Sequence, residues 1–149
     1  MSYKLRRRAE DEQAFTLIEL LLVILIIGIL AAIAIPSFLN QRAKGYDAAA
    51  KTNLRSAETA METYSTDHNG AYPLSVNTQN GSSDPLVLIE PSLKNAPYVS
   101  GGSTSSGYTL TSVAAGPGSS GDTFTIIISN GVITRTCSGP NGGCPNSTW

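Results

Sequence analysis

Apolar side chains crowd one stretch of this chain and are spaced out along the rest. From Phe15 to Ile35, fifteen of the twenty-one residues are Leu, Ile, Val or Phe. Twenty-one helical residues rise about 31 Å, the thickness of a bilayer's hydrocarbon layer. Each large apolar residue there favours insertion by about 0.3–0.6 kcal/mol, so the run predicts a membrane-spanning helix. From Ser37 to His68 the helical period continues in more polar company. Tyr46, Ala50, Leu54, Ala57, Met61, Tyr64 and His68 recur at steps of 4, 4, 3, 4, 3 and 4 and draw one apolar stripe. Asn69-Gly70 supplies a left-handed cap and Pro73 forbids an early restart. The expected helix therefore runs from about residue 16 to 69, roughly 80 Å. His68, at its end, reads as a capping or packing side chain rather than a ligand.

The pattern then changes period. Tyr108 to Thr111 alternates, and Thr123 to Ser129 does so less cleanly. Asn130-Gly131, between that run and Val132–Cys137, is the strongest hairpin signal in the chain. A two-residue turn pairs Ile128 with Ile133 and Ile126 with Arg135. That puts Arg135 on the apolar face, so either it snorkels at the sheet edge or the register is off by one. The Ser/Gly stretches 100–107 and 116–121 read as exposed loops. Residues 70–149 contain 42 Gly, Pro, Ser and Thr among 80. Such a segment buries little alone, and the helix stripe must supply much of its core. The fold class is α+β: a long helix kinked at Pro36 and packed on a small antiparallel sheet.

Charge sorts with these zones. Residues 1–14 carry four basic and three acidic side chains, and residues 15–41 carry Glu19 alone. Lys4, Arg6, Arg7 and Arg8 before the apolar run hold the N-terminus in the cytoplasm and send the rest outward. A secretory signal peptide shares the basic start, and Ala32-Ile33-Ala34 offers it a cleavage site. The apolar run nevertheless exceeds a signal core of about 7–15 residues. The net charge of −1 removes the electrostatic case for a nucleic-acid binder. One histidine and two cysteines leave little from which to build a catalytic or metal cluster. No cofactor is implied. Cys137 and Cys144 offer two ligands where a metal site needs four, and outside the cytoplasm a disulfide is their natural reading.

Glu19 is the informative residue. A carboxylate inside a spanning helix costs a few kcal/mol near the centre and less at the interface, where it can snorkel. Its surroundings carry more weight: Ala14-Phe15-Thr16-Leu17-Ile18-Glu19, followed by an unbroken apolar helix with Gly28 and Pro36, resembles the processing segment of the type IV pilin family, which includes the pseudopilins of type II secretion. The likeness is dense over residues 14–46 and architectural beyond. It implies a leader of residues 1–14, cut between Ala14 and Phe15 by a membrane peptidase, and methylation of the new Phe15 amine. The family usually has glycine where Ala14 stands. The likeness further implies assembly through Phe15, Glu19, Gly28 and Pro36, with Glu19 neutralising the Phe15 amine of a neighbouring copy. The segment from Gly28 to Pro36 would be able to lose helicity in a filament.

The domain organisation that follows is a leader (1–14), a membrane or filament-core helix (15–36), an amphipathic helix (37–69) and a β-rich head (70–149) with a C-terminal disulfide loop. Partners implied by the resemblance are further copies of the chain, a prepilin peptidase, an inner-membrane platform with its ATPase, and membrane lipid before assembly. The precursor would sit in the inner membrane and the filament at the cell surface. A pseudopilin remains the nearest alternative, and the Asp67–Pro73 stretch somewhat resembles the helix-to-head junction of major pseudopilins. A membrane-anchored binding protein that never polymerises is the alternative of another class. The second half of the helix is polarised: residues 42–55 sum to +3 and residues 58–67 to −3. A solvated face and a basic-on-acidic contact between staggered copies both fit that order. Asn80 and Asn146 match the glycan acceptor pattern, a tripeptide common by chance.

Overall fold

The computed structural model describes residues 15–95, 97–115, 121–139 and 143–149. Helix α1 spans Leu17–Asp67 and continues without interruption across Pro36. The chain divides into two units, Met1–Pro36 and Ser37–Trp149, and α1 passes through both. Asn69 (φ 54°) and Gly70 (φ 87°) end the helix as the Asn-Gly pair predicts, and the Gly70 amide donates to the Ser65 carbonyl at 2.8 Å.

Within the second unit, five strands form one antiparallel sheet in sequential order: β1 (Val76–Asn77), β2 (Val99–Thr104), β3 (Gly107–Val113), β4 (Thr123–Ser129) and β5 (Val132–Ser138). Asn130 and Gly131 take positive φ (52° and 78°) and close the β4–β5 hairpin. Its register pairs Ile128 with Ile133 and Ile126 with Arg135, so the inward arginine is real. Three rungs cross the sheet's inner face: Val99–Ser112–Phe124–Cys137, then Gly101–Leu110–Ile126–Arg135, then Ser103–Tyr108–Ile128–Ile133. The outer face is largely threonine, with Thr111 and Thr125 hydroxyls 3.3 Å apart.

Strand β2 corrects the expectation of an exposed loop over 100–107. Its Gly-Gly-Ser sequence has no strand propensity to read. What selects glycine is closeness, because a Cβ on Gly101 would run into the Thr109 carbonyl of the neighbouring strand. Of the other stretch read as a loop, residues 116–120 lie outside the described residues. The segment between β1 and β2 also departs from a strands-and-turns reading. It forms 3-10 turns at Thr78–Ser83 and Pro91–Lys94 around a short helix, α2 (Pro85–Ile89). Buried Asp84 caps α2, accepting from the Leu86 amide at 2.9 Å and the Asn77 amide at 2.6 Å. Leu86, Val87 and Leu93 of this segment enter the core.

The helix face buried in that core is Ala43, Asp47, Ala50, Leu54, Ala57, Ala60, Met61 and Ser65. The centre of the predicted stripe is correct and its ends are rotated. Tyr46 and Tyr64 are half-buried, and His68 is exposed, stacked on Tyr64 at 3.7 Å with its Nδ1 2.8 Å from the Tyr64 carbonyl. Residue type misled the reading there, because Asp47 and Ser65 occupy positions an apolar count passes over.

Leu54 is fully buried between helix and sheet. Leu54→Ala is expected to cost about 2–5 kcal/mol of head stability. Leu88→Ala, at an exposed site, is expected to stay within about 0.5 kcal/mol. Denaturant unfolding of the full chain in detergent, followed by near-UV circular dichroism, measures both.

Candidate assembly segment and the polar seam of the head

The apolar half of α1 leaves its large side chains unburied from Leu17 to Ile35. It is long and apolar enough to cross a membrane. At its start, Thr16 and Glu19 form a reciprocal cap. The Glu19 carboxylate accepts from the Thr16 amide and hydroxyl, both at 2.8 Å and both through Oε2, while the Glu19 amide donates to Thr16 Oγ1 at 3.2 Å. This is the capping-box arrangement, which satisfies helix donors that otherwise lack partners. The signal was present in the sequence as Thr-x-x-Glu ahead of an apolar run, and reading Glu19 only as a membrane charge passed over it. A plain membrane anchor therefore has its own use for Glu19. Phe15 is exposed, and Ala14, with the expected Ala14–Phe15 cleavage point, lies outside the described residues. A Cβ at Gly28 would meet nothing within 4 Å, so packing within the chain does not call for glycine there.

In the second unit, four charges of α1 turn toward the head: Lys51, Arg55, Glu58 and Glu62. Arg135 donates to both oxygens of Glu58, the shorter bond 3.0 Å. Lys51 Nζ lies 4.9 Å from the Phe124 ring centre and donates to the Gly143 carbonyl at 2.7 Å. Arg55 and Arg135 both lie 5.8 Å from the Trp149 ring. Glu62 accepts from Tyr108 at 2.9 Å and from Tyr72 at 3.2 Å. Lys51, Arg55, Glu58 and Glu62 of the polarised stretch thus all take part in the head's own packing, whereas Arg42 contacts only Phe38 and Tyr46 of its own helix among the described residues. Burial, and then Glu62, pushes the Tyr108 phenol well above its usual range, and the same two causes raise Tyr72. Both hydroxyls remain donors.

The disulfide joins Cys137 to Cys144, with Cα atoms 5.5 Å apart. The loop residues 140–142 lie outside the described residues. Trp149 packs beside the disulfide, edge-on to Phe124 at 5.9 Å, its indole donating to the Thr136 carbonyl at 2.9 Å. Gly143 lies so near α1 that a Cβ on it would collide with the Asp47 carboxylate. Asp47 is 2% exposed, and its Oδ2 has no hydrogen-bond partner among the described residues. Burial chiefly, with the Asp122 charge adding and Lys51 opposing, raises its pKa. Asn80 is exposed on its 3-10 turn and Asn146 on another. Among the described residues no group of three His, Cys, Asp or Glu side chains is placed to hold a metal.

Comparison with known proteins bears on this arrangement. Residues 11–35 match the prokaryotic N-terminal methylation motif. The chain is 52% identical over 52 residues to the type IV major pilin protein PilA of Myxococcus xanthus, covering 35% of this chain and 24% of that one. It is 38% identical over 87 residues to the type IV wide pilus major component PilA4 of Thermus thermophilus, covering 58% and 59%. It is 33% identical over 67 residues to the type II secretion system core protein G of Vibrio cholerae, covering 45% of each. The matches thus span between about a quarter and three fifths of these relatives' lengths. Motif, relatives and a long N-terminal helix packed on an antiparallel sheet together support the type IV pilin and pseudopilin family.

Two outcomes are expected in the head. Glu58→Gln and Arg135→Met should each cost about 1–3 kcal/mol, with a coupling of about 0.5–3 kcal/mol in the double-mutant cycle. Additive losses would deny the pair a role. For Asp47, a folded pKa above the ordinary 3.8 means that its contribution is fully present in acid and fades as pH rises through the folded value. Asp47→Asn should therefore gain melting temperature over the parent as pH rises from about 4 to 7. A gap independent of pH would show that Asp47 does not titrate with folding.

Proposed function

We propose that the chain is the precursor of a type IV pilus subunit, cut between Ala14 and Phe15 by a prepilin peptidase and methylated on the Phe15 amine. It then polymerises through its apolar helix and performs no catalysis of its own. The observation that carries this reading is the N-terminal methylation motif at residues 11–35, set on a helix whose apolar side chains the chain itself leaves uncovered. Before assembly those side chains rest in membrane lipid, with the N-terminus cytoplasmic and the head outside. An inner-membrane platform would then draw the subunit out.

Cleavage places a positive amine at Phe15, which assembly carries into an apolar filament core. Leaving it unpaired there would cost about 3–5 kcal/mol, the typical loss on breaking a buried ion pair. Glu19 of an adjacent copy offsets that cost. The capping bonds use Oε2, and Oε1 is the oxygen offered to the neighbour's amine. Capping and charge neutralisation are then two uses of one carboxylate. A pseudopilin of a type II secretion system is the second reading, favoured by the likeness to core protein G.

Mass spectrometry of the purified chain is expected to show a mature N-terminus at methylated Phe15. An uncut chain would return it to a membrane-anchored surface protein. Glu19→Gln retains a capping side chain and loses the charge. It is expected to lower filament yield at least tenfold, as is Glu19→Ala, while Thr16→Ala is expected to cost little more than about 1 kcal/mol of helix stability. Wild-type yield from Glu19→Gln would make capping the whole role of Glu19. Long surface fibres in electron micrographs support the pilus, and secretion defects without fibres support the pseudopilus.

A further inference from the structure

A groove of about 700 Å³ opens in the head beside the end of α1. Its apolar wall includes Leu74, Ile128 and Ile133, and Leu74 is 91% exposed. So bare a leucine at the lip of a groove marks a contact site when it adjoins further apolar surface. Among the described residues, the one charged side chain lining the groove is Glu62. Its hydrogen bonds come from the neutral phenols of Tyr72 and Tyr108, and no cation pairs with it among the described residues. The groove asks for an apolar ridge that carries a cation.

Such a ridge lies at the other end of the same unit. Phe38 is 61% exposed and Leu39 46% exposed, and neither has a partner in the head core. Arg42 lies 5.9 Å from the Phe38 ring centre and donates to the Tyr46 hydroxyl at 3.3 Å, so its charge is held along the ridge. Ridge and groove cannot meet within one chain. Arg42 and Glu62 stand twenty residues apart on one helix, a rise of about 30 Å. A second copy, parallel to the first and shifted by about 30 Å along the axis, brings them together.

We propose that the Phe38–Leu39–Arg42 ridge of one copy seats in the Leu74–Ile133 groove of another, with Arg42 facing Glu62. This contact rests on the filament reading and adds a head-level register to the packing of the apolar helices. It buries the exposed leucine and gives Glu62 its cation.

Oxidative cross-linking of assembled filaments tests it. The chain carrying both Phe38→Cys and Leu74→Cys is expected to give a ladder of covalent multimers on a denaturing gel. Phe38→Cys paired with Leu88→Cys, an exposed leucine outside the groove, is expected to give none. Arg42→Glu should cut filament yield at least tenfold while the processed chain still accumulates in the membrane, and Arg42→Lys should restore most of it. Filaments of normal yield without a ladder, or with equal ladders from both pairs, overturn the groove contact and leave the filament reading standing. Failure of the unsubstituted chain to form filaments overturns both.

Discussion

A five-stranded sheet has one face to hide, and in this head the second half of α1 is the element long enough to hide it. Every rung of the sheet answers to a stretch of helix. Phe124 meets Lys51, Arg135 meets Glu58, and Tyr108 meets Glu62, while Leu54, Ala57 and Met61 fill the space between. A segment with so many glycines, serines and threonines could not close such a core alone. Helix and sheet therefore form one cooperative body, and the register of the hairpin is fixed by what its inward residues find on the helix.

Among the described residues, nothing covers the first half of α1. A helix that buries one stripe in its second half and nothing in its first is incomplete in water. On the filament reading, lipid completes it in one setting and copies of itself complete it in another, and both solvents are apolar. Glu19 is tolerated at the boundary because the helix end has donors to satisfy. Its carboxylate is anchored on Thr16 within the chain.

The seam between helix and sheet is more polar than its composition suggests. Arg135 donates to Glu58 through one terminal nitrogen, and the tyrosines donate to Glu62. Arg135 Nε and Asp47 Oδ2, the latter against Gly143, are buried without a hydrogen-bond partner among the described residues. A buried charge of this kind lowers stability at neutral pH, and it is Lys51, donating to the Gly143 carbonyl, that ties Gly143 to the helix. The charge polarity along α1, which read in sequence as a surface pattern, is largely the imprint of this seam.

How much of this was legible without coordinates follows from the range of the forces. The apolar run, the Asn-Gly helix stop and the Asn-Gly hairpin with its Ile126–Arg135 pairing rest on local periodicity and turn chemistry, and each stood in the sequence. The methylation segment was legible too, because its residues are contiguous. Strand β2 was not, since Gly101 is chosen by the backbone of the strand beside it. The Arg135–Glu58 and Tyr108–Glu62 pairs were not either, as they join residues 77 and 46 positions apart. A sequence states what a residue prefers over a few neighbours. Which distant group it meets depends on how the helix and sheet dock, and there tertiary packing decides.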